Sequence, residues 1–174
     1  MANRRRALTS AGVIALLAVV WFLVPLGGGP LQMPTGTDEG ACVTSGGAAI
    51  FGTDVLRDAT FAPVTVLSVW PGRVSPGLAI RIGLSSASPF NAGMVGASRA
   101  FIVLHPLRRL PVTLGAFQSA TQGSRIWVEA HAYRNSSYGV QGIYVLYRWL
   151  GHPFIAYFPD RLTYQRAKAG GCAG

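Results

Sequence analysis

Glu129 and His131 are the residues whose types and spacing best suit metal chemistry in this chain. They lie two positions apart in a segment that alternates like a β-strand, so their side chains are expected on the same side. Together with a loop histidine, His105 or His152, they could supply three ligands to a metal ion. No ligand-spacing motif accompanies them. The alternative is a surface glutamate beside a surface or aromatic-packed histidine.

Residues for nucleophilic or acid–base catalysis are sparse. The chain has no G-x-S-x-G elbow, and its sole lysine, Lys168, lies in a tail rich in glycine and alanine. Glu129 and Asp160 are the only acidic residues in the second half of the chain, which leaves few partners for paired-carboxylate catalysis. We therefore assign no catalytic residue and predict no cofactor.

Arginines form the largest group of residues with binding chemistry. The chain has 15 Lys+Arg against 6 Asp+Glu, a net charge of +9. Because guanidinium groups bind phosphates and carboxylates, an anionic lipid or envelope polymer is an expected partner, whereas no motif indicates nucleic acid. The alternative is a solvated basic face. The candidate anion-binding residues are Arg108, Arg109, Arg125, Arg134 and Arg148.

A dense set of aromatic residues follows in the last third of the sequence. Aromatic side chains are strand formers and core fillers first, and a binding surface is the second interpretation. The set comprises Tyr133, Tyr138, Tyr144, Tyr147, Trp149, Tyr157, Phe158 and Tyr164.

An uncharged run of 20 residues near the N-terminus predicts how all of these residues are placed relative to a membrane. Residues 7–26 contain no charged side chain, and a helix of that length spans about 30 Å, the thickness of a bilayer core. Arg4, Arg5 and Arg6 precede the run, so the positive-inside rule predicts a cytoplasmic tail at residues 1–6 and an extracytoplasmic C-terminal part. A cleaved signal peptide, giving a secreted protein, is the alternative.

The extracytoplasmic part divides into a tether and a β-domain. Residues 27–60 are rich in glycine and turn-forming residues, which predicts a flexible tether and first loop, with residues 48–51 as a candidate for a short first strand. Residues 61–174 hold short runs with period-two alternation, as at Leu78, Ile80, Ile82 and Leu84, separated by closely spaced turn signals. We expect an all-β domain of about eight strands, a β-sandwich that is immunoglobulin-like in general architecture. Trp70-Pro-Gly and Pro159-Asp160 are two of the predicted breaks between strands.

Two cysteines stand near the ends of this part, and they are expected to pair. Cys42 and Cys172 are 130 positions apart, and a lone pair outside the membrane usually forms a disulfide. The alternative is two free thiols in the glycine-rich tails.

Composition and topology together favour a binding protein of the cell envelope. Only 12% of the residues are charged and 50% are hydrophobic, which excludes a disordered chain. We therefore expect a membrane-anchored, non-enzymatic binding or interaction module, whose partner is an envelope protein or an anionic lipid or polymer. The alternatives are a metal- or small-ligand-binding module and, less favoured, an envelope hydrolase.

Overall fold

Ten β-strands make up the part of the chain that a computed structural model describes, namely residues 29–33, 38–44, 48–86, 95–96, 108–118 and 123–167. No helix occurs among these residues. The strands are β1 (Leu31–Gln32), β2 (Asp38–Thr44), β3 (Ala49–Asp58), β4 (Val64–Val74), β5 (Leu78–Ser86), β6 (Val95–Gly96), β7 (Val112–Leu114), β8 (Ser124–Ala132), β9 (Ser136–Trp149) and β10 (His152–Ala167). The predicted all-β class is confirmed.

The strands form two sheets that share one core. The first sheet has the order β1-β3-β8-β5, with β6 also paired to β3, and the second has the order β2-β10-β9-β4-β7. The named strand pairs are antiparallel except for β2 and β10, which run parallel from Asp38 opposite Arg161 to Thr44 opposite Ala167. Burial of apolar side chains between the sheets is the main force that holds them together.

Alternation along the strands determines which side chains enter this core. In β8, Ile126, Val128, Ala130 and Ala132 are all buried, as their period-two spacing predicts. In β5, Leu78 and Leu84 are buried, and Ile80 and Ile82 are partly buried hydrophobic residues packed against the core.

Residues 27–60, for which the sequence predicts a tether and first loop, contain three of the strands. Leu31 in β1, Ala41 in β2 and Phe51 in β3 are buried in the shared core. The candidate strand at residues 48–51 coincides with the start of β3. Sequence patterning missed β1, β2 and the rest of β3 because their glycines and threonines resemble loop composition, whereas pairing to β3, β10 and β8 holds the three strands extended.

Two predicted strand breaks are continuous strands with local irregularities. Trp70, Pro71 and Gly72 lie inside β4, and β7 covers the neighbouring edge of β4 only from Val64 to Val66, so the missing N–H of Pro71 breaks no pairing on that side. Pro159 and Asp160 form a bulge inside β10, where the register with β9 shifts between Phe158 and Arg161.

Two predicted features of the sequence, the membrane span and the disulfide, lie wholly or partly outside the described residues. None of the described residues belongs to a helix with the length and hydropathy that a membrane crossing needs. The predicted span at residues 7–26 lies outside the described part and stays a prediction. Cys42 lies in β2 opposite Gln165 and is not free. Its predicted partner Cys172 lies outside the described residues, so the disulfide also stays a prediction.

Candidate binding face

Three aromatic side chains from three neighbouring strands form a row on the outer face of the second sheet. Trp70 of β4 lies opposite Tyr144 of β9, which lies opposite Tyr157 of β10. The ring centroids of Trp70 and Tyr144 are 5.7 Å apart with nearly parallel planes, and those of Tyr144 and Tyr157 are 4.9 Å apart. Their sequence neighbours Val69, Val145 and Phe158 are buried, so alternation directs the three rings outward. We call Trp70, Tyr144 and Tyr157 the aromatic row.

A glycine next to the row allows the Tyr157 ring to lie close to the backbone of β9. Gly142 has a φ of +77°, in the left-handed region, and it stands opposite the Pro159–Asp160 bulge. A Cβ atom at this position would lie 2.2 Å from a ring carbon of Tyr157. Only glycine accommodates both the backbone conformation and the ring without strain.

Polar side chains form the next row along the same face. Arg73 of β4, Gln141 of β9 and Arg161 of β10 lie opposite one another, and Asp38 of β2 continues the register. All four residues are exposed. We call Arg73, Gln141 and Arg161 the basic row. With two guanidinium groups and one carboxylate, this row and Asp38 together carry a net positive charge, which suits an anionic ligand.

A shallow groove runs between and beyond these rows. A depression of about 560 Å³ is lined by the whole aromatic row and by Arg73 and Gln141 of the basic row. Two neighbouring depressions of about 340 and 330 Å³ share Gly139 and Gln141, and they extend the groove toward Pro76 and toward Asp38. An open groove of this kind suits an extended ligand better than a small enclosed one.

The arginines predicted from the sequence are dispersed over the molecule. Arg148 is exposed in the second sheet, in the row Thr65–Arg148–Pro153 of the outer face. Arg108 and Arg109 are exposed beside the first sheet, where the Arg108 backbone N–H donates to the carbonyl oxygen of Leu84. Arg134 is exposed in the bend between β8 and β9. The five residues therefore do not form one anion-binding surface.

Arg125 is the member of that set whose predicted role needs correction. It is only 5% exposed, and its guanidinium carbon lies 5.8 Å from the centroid of the Trp127 ring. Residues two apart in a strand share a face, which explains this cation–π contact. A guanidinium buried in this way cannot contact an anionic polymer or a lipid headgroup outside the protein.

The candidate metal ligands are brought together only in part. Glu129 and His131 share a face of β8 as predicted, but a Glu129 carboxylate oxygen lies 3.6 Å from a guanidinium nitrogen of Arg81, and the His131 ring packs edge-on against Tyr133 at 4.7 Å. His152 begins β10 in the other sheet, and His105 lies outside the described residues. The described residues contain no group of three His, Cys, Asp or Glu side chains that could hold a metal ion.

Sequence reasoning named two members of the aromatic row but missed its third member and all three residues of the basic row. Tyr144 and Tyr157 belong to the aromatic set noted in the sequence, whereas Trp70 stands in a predicted turn and Arg73 follows it. The outward alternation of Tyr144, Leu146 and Arg148 is the signal that could have indicated an exposed face. Nothing in β4 itself reveals its register with β9.

Comparison with known proteins identifies no family for this chain. No protein-family model and no curated protein matches the sequence. A solved structure of the Vibrio cholerae VesB protease is similar in fold, with 10% sequence identity and a TM-score of 0.43. The match covers 83% of this chain and 34% of the protease chain, so this chain spans about a third of that protein's length. We draw no function from this similarity.

Proposed function

We propose that this chain is a non-enzymatic binding module of the cell envelope that binds an anionic glycan, a sugar polymer bearing carboxylates or phosphates. In this proposal residues 7–26 anchor an immunoglobulin-like sandwich outside the membrane, and the aromatic and basic rows bind the polymer. The observation that carries the proposal is the position of the aromatic row directly beside the basic row on one exposed sheet face.

The aromatic row supports contact with sugar rings. Tyrosine and tryptophan combine a large apolar body with a polar tip, so they pack against the C–H face of a sugar and still hydrogen-bond its hydroxyls. Tyr157 is 52% exposed, and Trp70 and Tyr144 are half-buried. The row therefore has surface that a ligand can contact, while packing restrains the side chains. The stacking of Trp70 on Tyr144 reduces the side-chain entropy that binding would otherwise cost.

The basic row supports selection of a charged polymer over a neutral one. Arg73 and Arg161 flank Gln141, which can donate and accept hydrogen bonds. Each exposed charge pair contributes about 0.2–1 kcal/mol, so a single repeat unit is expected to bind weakly. A polymer with many repeats raises the apparent affinity through rebinding along its length.

The test compares two charge-matched double variants of the full chain in detergent micelles. The probe is hyaluronate, with dextran as the neutral control, and binding is measured by titration calorimetry. Arg73→Gln with Arg161→Gln should weaken hyaluronate binding about fivefold to tenfold, as expected for the loss of two exposed charge contacts. Arg108→Gln with Arg109→Gln removes the same charge beside the other sheet and should leave binding nearly unchanged.

Two further outcomes make the proposal falsifiable. Equal losses in the two double variants would show that net charge alone attracts the probe, which would contradict a defined site. Tyr157→Ala should weaken binding even at high salt, where charge contacts are screened. Unchanged binding in Tyr157→Ala, or equal binding of dextran and hyaluronate, would overturn the proposal.

A further inference from the structure

One end of the sandwich exposes two phenylalanines on adjacent loops. Phe61 is 65% exposed and Phe117 is 70% exposed. The backbone N–H of Phe117 donates to the carbonyl oxygen of Thr60, which places the two loops side by side. The Phe61 ring contacts Trp149 edge-on, with centroids 6.0 Å apart. We call this surface the phenylalanine end.

The exposed position of Phe61 follows from a buried carboxylate that fixes the preceding turn. Asp58 is fully buried, and one of its oxygens accepts hydrogen bonds from the backbone N–H and the hydroxyl of Thr60, at 2.8 and 2.7 Å. The backbone N–H of Gln118 donates to the carbonyl oxygen of Asp58, which ties the second loop to the same residue. Specific hydrogen bonds therefore fix the conformation of both loops, and this conformation exposes the two rings.

The chain enters the described structure at this same end. In β1, Leu31 lies opposite Asp58 and Gln32 lies opposite Arg57, so β1 runs away from the phenylalanine end and its N-terminal side points toward it. Gly29 packs against the hydroxyl of Tyr147, where a Cβ atom would collide with the side chain. Between residue 26, the end of the predicted span, and Gly29 the backbone can extend only about 10 Å.

A lipid surface is the occupant that these observations favour. If the predicted span ends three residues before Gly29, Gly29 lies within about 10 Å of the end of that span, and β1 places Gly29 on the side of the sandwich that carries the phenylalanine end. Exposed aromatic rings are favourable in the interfacial region of a bilayer, where they leave water without losing polar contacts. Arg148 is exposed one residue before Trp149, and its guanidinium suits the phosphates of lipid headgroups.

We infer that the phenylalanine end rests on the outer leaflet of the membrane, with Phe61 and Phe117 inserted at the boundary between headgroups and acyl chains. The inference relies on the predicted span at residues 7–26 and is independent of glycan binding. It fixes the orientation of the domain, because β9 and β10 then stand upright on the membrane and the aromatic and basic rows face sideways.

Photo-crosslinking in proteoliposomes tests this contact. The full chain carries p-benzoylphenylalanine in place of Phe117 or, in a second sample, of Phe61. The matched control carries it in place of Tyr133, which is 77% exposed at the opposite end of the sandwich. Illumination should give lipid adducts, detected by mass spectrometry, at positions 117 and 61. The yield of adducts at position 133 should be much lower.

The outcomes separate this inference from the proposed function. Equal adduct yields at positions 117 and 133, or no adduct at either 117 or 61, would overturn the membrane contact. Circular dichroism of each sample shows that the exposed replacement has left the β-structure intact. Hyaluronate binding is measured in micelles without a bilayer, so a failure of the glycan proposal leaves the crosslinking result unaffected, and the reverse also holds.

Discussion

The outer faces of the two sheets carry similar residue types, but the side chains differ in how far they are exposed. On the first sheet, Trp127 is 5% exposed and its indole N–H donates to the Ser85 hydroxyl at 2.5 Å. Arg125 lies against that ring, and Glu129 of the same strand pairs with Arg81. On the second sheet, aromatic and arginine side chains in the equivalent alternation are half-buried or exposed, and they line an open groove.

The difference shows that residue type does not distinguish a structural cluster from a binding face. Arg125, beside a tryptophan of its own strand, is buried against that ring, whereas Arg73 and Arg161, one row from Trp70 in the other sheet, are exposed. Burial of the side chain distinguishes these two roles, because a buried charge interacts with the groups around it and is not accessible to a ligand. Three substitution pairs test this contrast.

The largest difference is expected in the loss of stability when one or the other of the two tryptophans is replaced. Trp127→Ala leaves a cavity over Gly52, where a Cβ atom would lie 2.4 Å from the indole ring, and it removes the ring beneath Arg125. We expect a loss of about 3–5 kcal/mol in the free energy of unfolding. Trp70→Ala loses mainly the stacking on Tyr144 and should cost about 1 kcal/mol.

Urea unfolding followed by far-ultraviolet circular dichroism measures both variants without relying on tryptophan fluorescence. Similar losses in the two variants would contradict the contrast between a covered and an open face.

The next largest difference is expected in the pH dependence of the free energy of unfolding, when an inner or an outer tyrosine is replaced. Tyr147 is 1% exposed, and burial, followed by the charge of Asp58, raises its pKa from 10.0 to about 12. Between pH 10 and 12 the folded chain therefore retains a proton that the unfolded chain releases. Stability should fall as the pH rises through this window, by about 2–3 kcal/mol.

Tyr147→Phe removes this titration and should flatten the decline between pH 10 and 12 in a series of urea unfolding curves. Tyr157→Phe on the outer face is the matched control and should follow the parent chain. A parent chain and Tyr147→Phe with parallel pH profiles would refute the assignment to Tyr147.

The smallest difference is expected between two glycines of β9. Gly142→Ala places a side chain on a residue with positive φ and displaces the Tyr157 ring, so it should cost about 1–2 kcal/mol and weaken hyaluronate binding. Gly139→Ala meets no atom closer than 3.8 Å and should change the free energy of unfolding and the binding much less. If both substitutions leave binding unchanged, the bulge does not position Tyr157 for the ligand.

Much of the β-domain could be predicted because period-two alternation is a local signal. It located β5 and β8. The burial of Trp127 as well as of the core residue Val128 in β8 is seen only in the structure. In residues 27–60 only the start of β3 was indicated, and β1 and β2 could not be predicted, because short, glycine-containing strands are stabilised by partners far along the chain. Pro159 was misleading for a related reason, since a bulge accommodates a proline that a regular strand would not.

The candidate site depended on information that no local pattern contains. Trp70 and Tyr157 are 87 positions apart, and their adjacency requires β4, β9 and β10 to pair in one register. That register is set by two bulges, one between Val66 and Ser68 and one between Phe158 and Arg161. A one-residue slip would turn the same side chains into the core.

The parallel pairing of β2 with β10 has a mechanical consequence. β2 lies near the N-terminal side of the domain and β10 near its C-terminal side, and they share seven register positions from Asp38–Arg161 to Thr44–Ala167. A pull that separates the N-terminal side of β2 from the C-terminal end of β10 loads these strands in shear, so their evenly spaced hydrogen bonds resist together instead of opening one at a time. The predicted Cys42–Cys172 bridge would join the same two segments covalently.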